Sequence, residues 1–334
     1  MIVRKAAMIA ASMLILLVFV NINEDVSGFL ASLKYGDAKL ASTVKTYSET
    51  ERKELLTTIS AEAEKRKIAP VNARIDRVWK AIPGYNGLEV DVEKTLEAAL
   101  LEPSSSSIRY IFKEVEPKIK LNDLGPYPIY RGNPNKKMIS LMINVAWGNE
   151  YIDSILKTLE RENVKATFFL DGSWLKKFPD VAKQIQAGGH EMSNHAYTHP
   201  DMKMLSREAQ YNQITKTESL LKSTLNVKNK WFAPPSGSFN QATVQIAEEQ
   251  GLKMVLWTID TIDWQKPSAD TILRRISAKL EPGALILMHP TSSTRDAIGG
   301  IIATAKARGY SLGTVSETLS SARIPPVVEG ANGF

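Results

Sequence analysis

From residue 137 onward, apolar runs alternate with stretches whose apolar residues recur at helical spacing. The spacing predicts helices at 151–160, 180–187, 206–225, 241–250 and 297–308, and the apolar runs predict strands at 138–145, 166–170, 253–258 and 284–288. Apolar strands that alternate with helices are typical of a parallel sheet covered by helices. Polar clusters follow the strands at intervals of roughly 25 to 40 residues, as in (β/α) barrels. We therefore expect an α/β domain with a distorted (β/α) barrel at 137–322.

The preceding part of the chain has a different, mixed pattern. Amphipathic spacing predicts helices at 49–67 and 91–100, and alternating apolar and charged residues predict strands near 74–82 and 108–115. These elements indicate a small α+β accessory domain at 35–125, acting as a spacer or docking module. The turn-rich residues 126–136 are predicted to be a linker.

The N-terminus has the charge pattern of an export signal. Arg4 and Lys5 precede an uncharged apolar run at residues 6–20, which has the length of a signal-peptide core. Cleavage after Val26-Ser27-Gly28 and retention as a membrane anchor both remain open for residues 1–28. A buried helix is a weaker alternative because the run has no polar face. We expect an exported, extracytoplasmic protein of the cell wall or membrane surface.

Charge and cysteine content narrow the partners. The net charge is +6 and the isoelectric point is about 9.2, but the basic residues are scattered among acids. This distribution argues against nucleic acid and fits an anionic wall polymer or membrane surface. The chain has no cysteine, which excludes disulfides and thiolate zinc sites. His and carboxylate side chains are left as the metal ligands.

Two polar clusters at predicted strand ends could perform chemistry. His195 and His199 lie four residues apart in a loop and could chelate one ion, although the spacing could also be coincidental. Asp260, Asp263 and Trp264 follow another predicted strand, and His289 follows a further one. A carboxylate that holds one imidazole nitrogen fixes the tautomer of a general acid. A purely structural pair, or an N-cap role for the aspartate, is the alternative.

Several motifs give these residues a family resemblance. Asn-His-x-x-x-His-Pro, Phe-x-Pro-Pro-x-Gly, Asp-x-x-Asp-Trp and Leu-Met-His-Pro occur in this order, with Ala-Thr-Phe-Phe-Leu before them. Over residues 137–322 the chain resembles the polysaccharide deacetylases of the NodB-homology type, carbohydrate esterase family 4. Ile-Asn-Val-Ala-Trp-Gly-Asn-Glu at 143–150, and Thr-Ser-Ser after Pro290, are most similar to the sporulation-associated, YlxY-type branch.

The resemblance assigns roles to residues on two sides of one pocket. It implies that His195 and His199 bind Zn²⁺, that the Ser236 backbone N–H stabilises the oxyanion, and that Asp263 and His289 protonate the leaving amine. It also implies pocket walls, formed by Trp264, Leu287 and Pro235.

Three other matching positions lack the family's side chains. The family motif Thr-Phe-Asp-Asp-Gly corresponds here to Asn-Val-Ala-Trp-Gly at 144–148. Ala146 therefore replaces the catalytic base, Trp147 replaces a metal ligand, and Ala233 replaces the arginine that orients the base. Asp171 is a possible substitute base, but its position favours an N-cap for a helix at 172–177.

These losses leave three hypotheses about function. The first is a hydrolase of acetyl amide or ester bonds in peptidoglycan or a chitin-like glycan, weakened by about 10²- to 10⁴-fold without its base and by poorer zinc binding. The second is an inactive pseudoenzyme, a glycan-binding or scaffold protein of the wall or spore. In the third, Trp147 fills the metal position and no ion binds. Acetylated cell-wall glycan is the expected partner in the first two.

Overall fold

The computed structural model describes residues 47–101 and 107–324. The predicted signal peptide or anchor at 1–28 lies outside these residues. Contacts group the chain into two units: the described parts of 1–63 and 91–111 form one, and those of 64–90 and 112–334 form the other. Within the described ranges, no helix combines the length and apolarity needed to cross a membrane.

Two helices lie wholly or mainly in the first unit. Helix α1 (Glu49–Lys65) begins after Ser48, whose hydroxyl accepts a hydrogen bond from the Glu51 N–H at 3.2 Å, while the Glu51 carboxylate accepts one from the Ser48 N–H at 2.8 Å. This reciprocal capping box satisfies two backbone donors at the helix start. Helix α2 (Val92–Leu101) follows. Both helices agree with the sequence prediction to within two residues.

Two small antiparallel pairs open the second unit. Strands β1 (Arg74–Asp76) and β2 (Lys80–Ile82) form a hairpin, and β3 (Gly87–Val90) pairs with β4 (Phe112–Val115). The predicted strand-like segment at 74–82 contains both strands of the hairpin, with a turn between them. The Asp76 carboxylate accepts hydrogen bonds from the N–H groups of the two residues that follow Arg77, and this closes a turn in the middle of the segment.

The main sheet of the second unit has eight parallel strands in the described chain. They are β5 (Met138–Val145), β6 (Thr167–Leu170), β7 (Glu191–Asn194), β8 (Trp231–Phe232), β9 (Lys253–Met254), β10 (Ile259–Asp260), β11 (Leu285–Met288) and β12 (Ser311–Gly313). In spatial order they run β10-β11-β5-β6-β7-β8-β9, and β12 also pairs with β5. Central β5 is buried from its second residue onward, as expected for a parallel strand covered on both faces.

Among the described residues, eight α-helices accompany this sheet: α3 (Asn149–Arg161), α4 (Gly172–Lys177), α5 (Pro179–Ala187), α6 (Arg207–Leu225), α7 (Gln241–Glu249), α8 (Ala269–Lys279), α9 (Ser292–Ala307) and α10 (Val315–Leu319). Helix α3 buries Ile152, Ile155, Leu156 and Leu159, the i, i+3, i+4, i+7 pattern of a helix that packs one face on a core. Six of the eight begin at a side-chain N-cap: Asp171, Ser206, Asn240, Ser268, Thr291 and Thr314.

The sheet curls into a half-barrel. Strands β9 and β10 stand at its two ends and are not paired with each other among the described strands. An α/β fold with a distorted barrel is therefore confirmed in its coarse form.

Residues 126–136, predicted to be a linker, are packed into the second unit. Ile129 is fully buried and bridges Val255, and Arg131 bridges Ala284. The turn residues of this stretch mark direction changes in a packed segment.

Candidate functional site

The carboxyl ends of four neighbouring strands meet at one edge of the half-barrel. In the parallel register, Val145 pairs with Leu170, which in turn pairs with Asn194, and Met288 pairs with Ile143. The next residues of these strands are Ala146, Asp171, His195 and His289. The sequence prediction that separate polar clusters converge on one site agrees with this register.

His195 and His199 lie side by side, with ring centroids 5.2 Å apart. His195 is buried, and its Nδ1 donates to the backbone oxygen of Ala233 at 2.7 Å, which leaves Nε2 unprotonated in the neutral ring. Burial, with the nearby imidazoles of His199 and His289, lowers the pKa of His195 to about 3. Burial also lowers the pKa of His199. Both rings are thus neutral at pH 7, the form that binds metals.

The donor set around these imidazoles is incomplete. Within residues 47–101 and 107–324, no three His, Asp or Glu side chains are placed to hold one ion together. Catalytic zinc sites use three protein ligands. The residues present therefore do not fit the zinc centre that the family resemblance implied, and the two histidines remain a candidate pair only.

Asp263, which is buried, and the half-buried His289 form a multiply hydrogen-bonded pair. The His289 Nδ1 lies 2.8 Å from Asp263 Oδ1, and the His289 backbone N–H donates to Oδ2 at 2.6 Å. The Thr294 hydroxyl also donates to Oδ2. Burial alone would raise the pKa of Asp263, but the contacts with His289 and Thr294 outweigh it and lower that pKa. A charged Asp263 fixes Nδ1 of His289 as the protonated nitrogen and leaves Nε2 for the pocket.

Asp171 is the N-cap of α4, as its sequence position before the predicted helix at 172–177 favoured. Its Oδ1 accepts from the Trp174 N–H at 2.9 Å and from the Ser173 hydroxyl. Its Oδ2 is buried and has no hydrogen-bond partner. Burial raises the pKa of Asp171, and the hydrogen bonds from Ser173 and Trp174, with an electrostatic contribution from His199, offset part of that rise. The capping role leaves one carboxylate oxygen free beside the histidines.

The indole of Trp147 packs against the imidazole of His289. The two rings stack in parallel, with centroids 5.9 Å apart and planes 8° apart. Trp147 is nonetheless 47% exposed and Trp264 is 53% exposed. The other two predicted pocket walls, Leu287 and Pro235, are buried.

The loop after β8 carries Ser236 in a left-handed conformation, with φ 53° and ψ 19°. Hydrogen bonds from the Gly237 N–H to Pro234 at 3.0 Å and from the Ser238 N–H to Pro235 at 2.9 Å stabilise this turn. Residues with a side chain adopt positive φ at a cost, and such strain is common at functional sites.

Two residues at this edge were missed by the sequence analysis. The Thr294 hydroxyl, in the first turn of α9, donates a hydrogen bond to Asp263. The sequence signal that could have indicated this role is a hydroxyl side chain five residues after His289. Asn144 is a buried polar residue in an apolar strand, and its Oδ1 has no partner. An amide in such a run is itself a sequence signal, because buried polar atoms normally find partners.

Comparisons with known proteins agree with this geometry. The polysaccharide deacetylase family model matches residues 131–255. The uncharacterized protein YlxY of Bacillus subtilis is 45% identical, over 78% of this chain and 82% of the relative. Peptidoglycan-N-acetylglucosamine deacetylase of Bacillus cereus is 34% identical, over 60% of this chain and 78% of that enzyme.

A solved structure is similar over most of the chain. BA3943 of Bacillus anthracis, a CE4 family pseudoenzyme, has a TM-score of 0.75 and 46% identity, over 81% of this chain and 96% of that one. A mutant of BA3943 with restored enzymatic activity matches with the same TM-score and identity, over 81% of this chain and 99% of that one. By fold, motif order and relatives, this chain belongs to the polysaccharide deacetylase family.

Proposed function

We propose that this protein binds acetylated cell-wall glycan, peptidoglycan or chitin-like, at the strand-end site and hydrolyses acetyl groups weakly or not at all. One observation carries the proposal: Trp147, at the position of a family metal ligand, stacks on His289. An indole has only an N–H donor, so it can neither coordinate zinc nor accept a proton from water. Ala146 likewise offers no base.

The relatives support both halves of this proposal. The Bacillus cereus enzyme is named for deacetylation of peptidoglycan N-acetylglucosamine, which supports an acetylated wall glycan as the ligand. BA3943 is a pseudoenzyme, and it also has a mutant with restored activity. Restored hydrolysis in a variant of a similar fold requires a site that can still receive the acetylated substrate, and the hydrogen-bonded Asp263–His289 pair supports such a site in this chain.

Acetate release with added zinc tests the proposal directly. The wild type is compared with Ala146→Asp/Trp147→Asp, which supplies a base and a third ligand, and with Ala146→Asn/Trp147→Asn as a matched control of similar shape. We expect the wild type to bind insoluble peptidoglycan and release little acetate. The aspartate variant should retain zinc and release acetate at least about 10²-fold faster. A wild type that neither binds glycan nor releases acetate contradicts the proposal.

Residual deacetylation with Asp171 as the base is a second candidate, favoured by its free, buried Oδ2 beside the histidines. Asp171→Ser keeps an N-cap hydroxyl but removes the carboxylate, whereas Asp171→Ala removes both. If Asp171 is the base, both variants lose the residual acetate release. If it is only a cap, Asp171→Ser keeps the wild-type rate.

Location outside the cytoplasm is part of the same proposal. Residues 1–28 are proposed to direct export, either as a cleaved signal or as an anchor, and the net charge of +6 suits an anionic wall. Fractionation of vegetative and sporulating cells, with the mass of the mature protein, tests export, cleavage and spore association together. Recovery of the full-length chain in the cytoplasm would contradict export.

A further inference from the structure

We propose that Trp147 is a sugar-binding residue whose indole, backed by His289, stacks on the apolar face of a pyranose ring of the glycan. This inference rests on the proposed glycan-binding function and assigns it a residue that replaces, and does not preserve, a family side chain.

The exposure of Trp147 is the first support. Its ring stacks on His289, yet 47% of the residue is exposed. His289 can cover only one face of the indole, and nearly half of the residue is open to solvent, so we infer that the opposite face receives the ligand. Tryptophan is enriched at binding surfaces because it offers a large apolar area together with one N–H donor.

The rigidity of the stack is the second support. Trp147 is followed by Gly148, at which a Cβ would lie 2.0 Å from the Pro290 carbonyl oxygen, so the two loops are in backbone contact. On the other side, Asp263 holds both Nδ1 and the backbone N–H of His289. An aromatic surface fixed in this way loses little conformational freedom when a ligand covers it.

The location of the stack determines the class of ligand. Trp264, the next residue after Asp263, is also exposed, at 53%, so a second indole borders the same Asp–His pair. The pyranose rings of β-linked hexosamine polymers carry equatorial hydroxyl, acetamido and glycosidic groups, which leave axial C–H groups on the ring faces. Such a face is apolar while its rim is polar, which matches an indole face beside hydrogen-bonding side chains.

Calorimetric titration with chitotetraose and with a peptidoglycan tetrasaccharide tests the inference. Trp147→Ala should weaken binding about tenfold, which corresponds to about 1.4 kcal/mol, while Trp147→Phe should stay within about threefold of the wild type because it keeps an aromatic face. Tyr211→Ala removes an aromatic of similar exposure, 46%, from α6 and should leave affinity unchanged.

Ligand-induced change in tryptophan fluorescence gives a second readout that does not need the alanine variant to fold. The wild type should respond to the oligosaccharides, and Trp147→Phe should lose the part of the response that Trp147 contributes, so that its fluorescence change is smaller than that of the wild type while it still binds. If the wild type binds glycan and Trp147→Ala binds equally well, the stacking role is wrong and the proposed function stands. If the wild type binds no glycan, both are wrong.

Discussion

Gly148 lies so close to Pro290 that a Cβ at Gly148 would come within 2.0 Å of the Pro290 carbonyl oxygen. Gly148 also has a φ of 85°, which residues with a side chain rarely adopt. The contact joins the turn after β5 to the loop after β11. Because Trp147 and His289 are the preceding residues, the same contact brings their rings together.

Gly148→Ala should therefore destabilise the protein more than positive φ alone would. Gly251 is a matched control, since its φ is 74° and a Cβ there would meet nothing within 4 Å. We expect Gly251→Ala to lower the free energy of unfolding by about 1–2 kcal/mol and Gly148→Ala by about 3 kcal/mol or more. Urea unfolding of both variants measures the difference. Equal losses would show that the Pro290 loop yields without cost.

The sequence predicted the parts of the fold that repeat a strong local pattern. Helix α4 was placed at its observed bounds with Asp171 as its cap, and strand β5 at 138–145 was placed without error. Strand geometry predicted that the polar clusters would meet at one edge, and the family resemblance paired Asp263 with His289, which lie 2.8 Å apart.

Long-range contacts decided what the sequence could not show. Strand β9 covers only the first two residues of the predicted strand at 253–258. Only two residue pairs join it to β8, and an apolar run does not show where such pairing ends. The packing of Ile129 against the sheet depends on a partner far along the chain. Likewise, nothing near Trp147 in sequence indicates that its ring lies on His289.

His190 should make stability fall as the pH drops from about 6.5 to 4. Burial lowers its pKa to about 4, with a smaller effect from Lys165, and its Nδ1 accepts the Ala166 N–H at 3.2 Å, a role that only the neutral ring can fill. In this window the unfolded chain gains a proton that the folded chain does not, so the free energy of unfolding decreases with acidity.

The variant His190→Asn keeps an acceptor and cannot titrate. The free energy of unfolding of this variant should depend less on pH. The difference in free energy of unfolding between the wild type and the variant should therefore shrink by up to about 3 kcal/mol between pH 6.5 and pH 4. The contribution of His195 is common to both proteins and cancels in the difference. Urea unfolding across this pH range measures the slope, and parallel curves would contradict the prediction.

Lys136 should stabilise the C-terminal end of α10. Its buried Nζ donates to the backbone oxygens of Glu317 at 2.5 Å and Ser320 at 2.9 Å, carbonyls that have no partner within the helix. Lys136→Met keeps the length of the side chain and loses these hydrogen bonds, so we expect the free energy of unfolding to fall by about 1–3 kcal/mol. Lys137→Met, at the exposed neighbouring position, should change stability by less than about 0.5 kcal/mol. Thermal and urea unfolding of the two variants compare them, and similar values would argue against the capping role.

Asp263→Asn should destabilise the fold as well as release His289. Oδ1 and Oδ2 together accept two hydrogen bonds from His289 and one each from the hydroxyls of Thr291 and Thr294, and an amide nitrogen in either place faces a donor. We expect Asp263→Asn to lower the free energy of unfolding by about 2–4 kcal/mol at pH 7. The exposed Asp296, paired with its neighbour Arg295, is the matched control, and Asp296→Asn should cost less than about 0.5 kcal/mol.

The pH dependence of this loss identifies its cause. Because the pKa of Asp263 is lowered in the folded protein, its carboxylate stabilises the fold fully above about pH 4, the ordinary range of the group, and this stabilisation is lost as the pH falls through the folded value. The gap between wild type and Asp263→Asn should therefore narrow between pH 5 and pH 2, as measured by urea unfolding at each pH. A gap that stayed constant would mean that the variant loses packing and not the charged hydrogen bonds that hold His289 against Trp147.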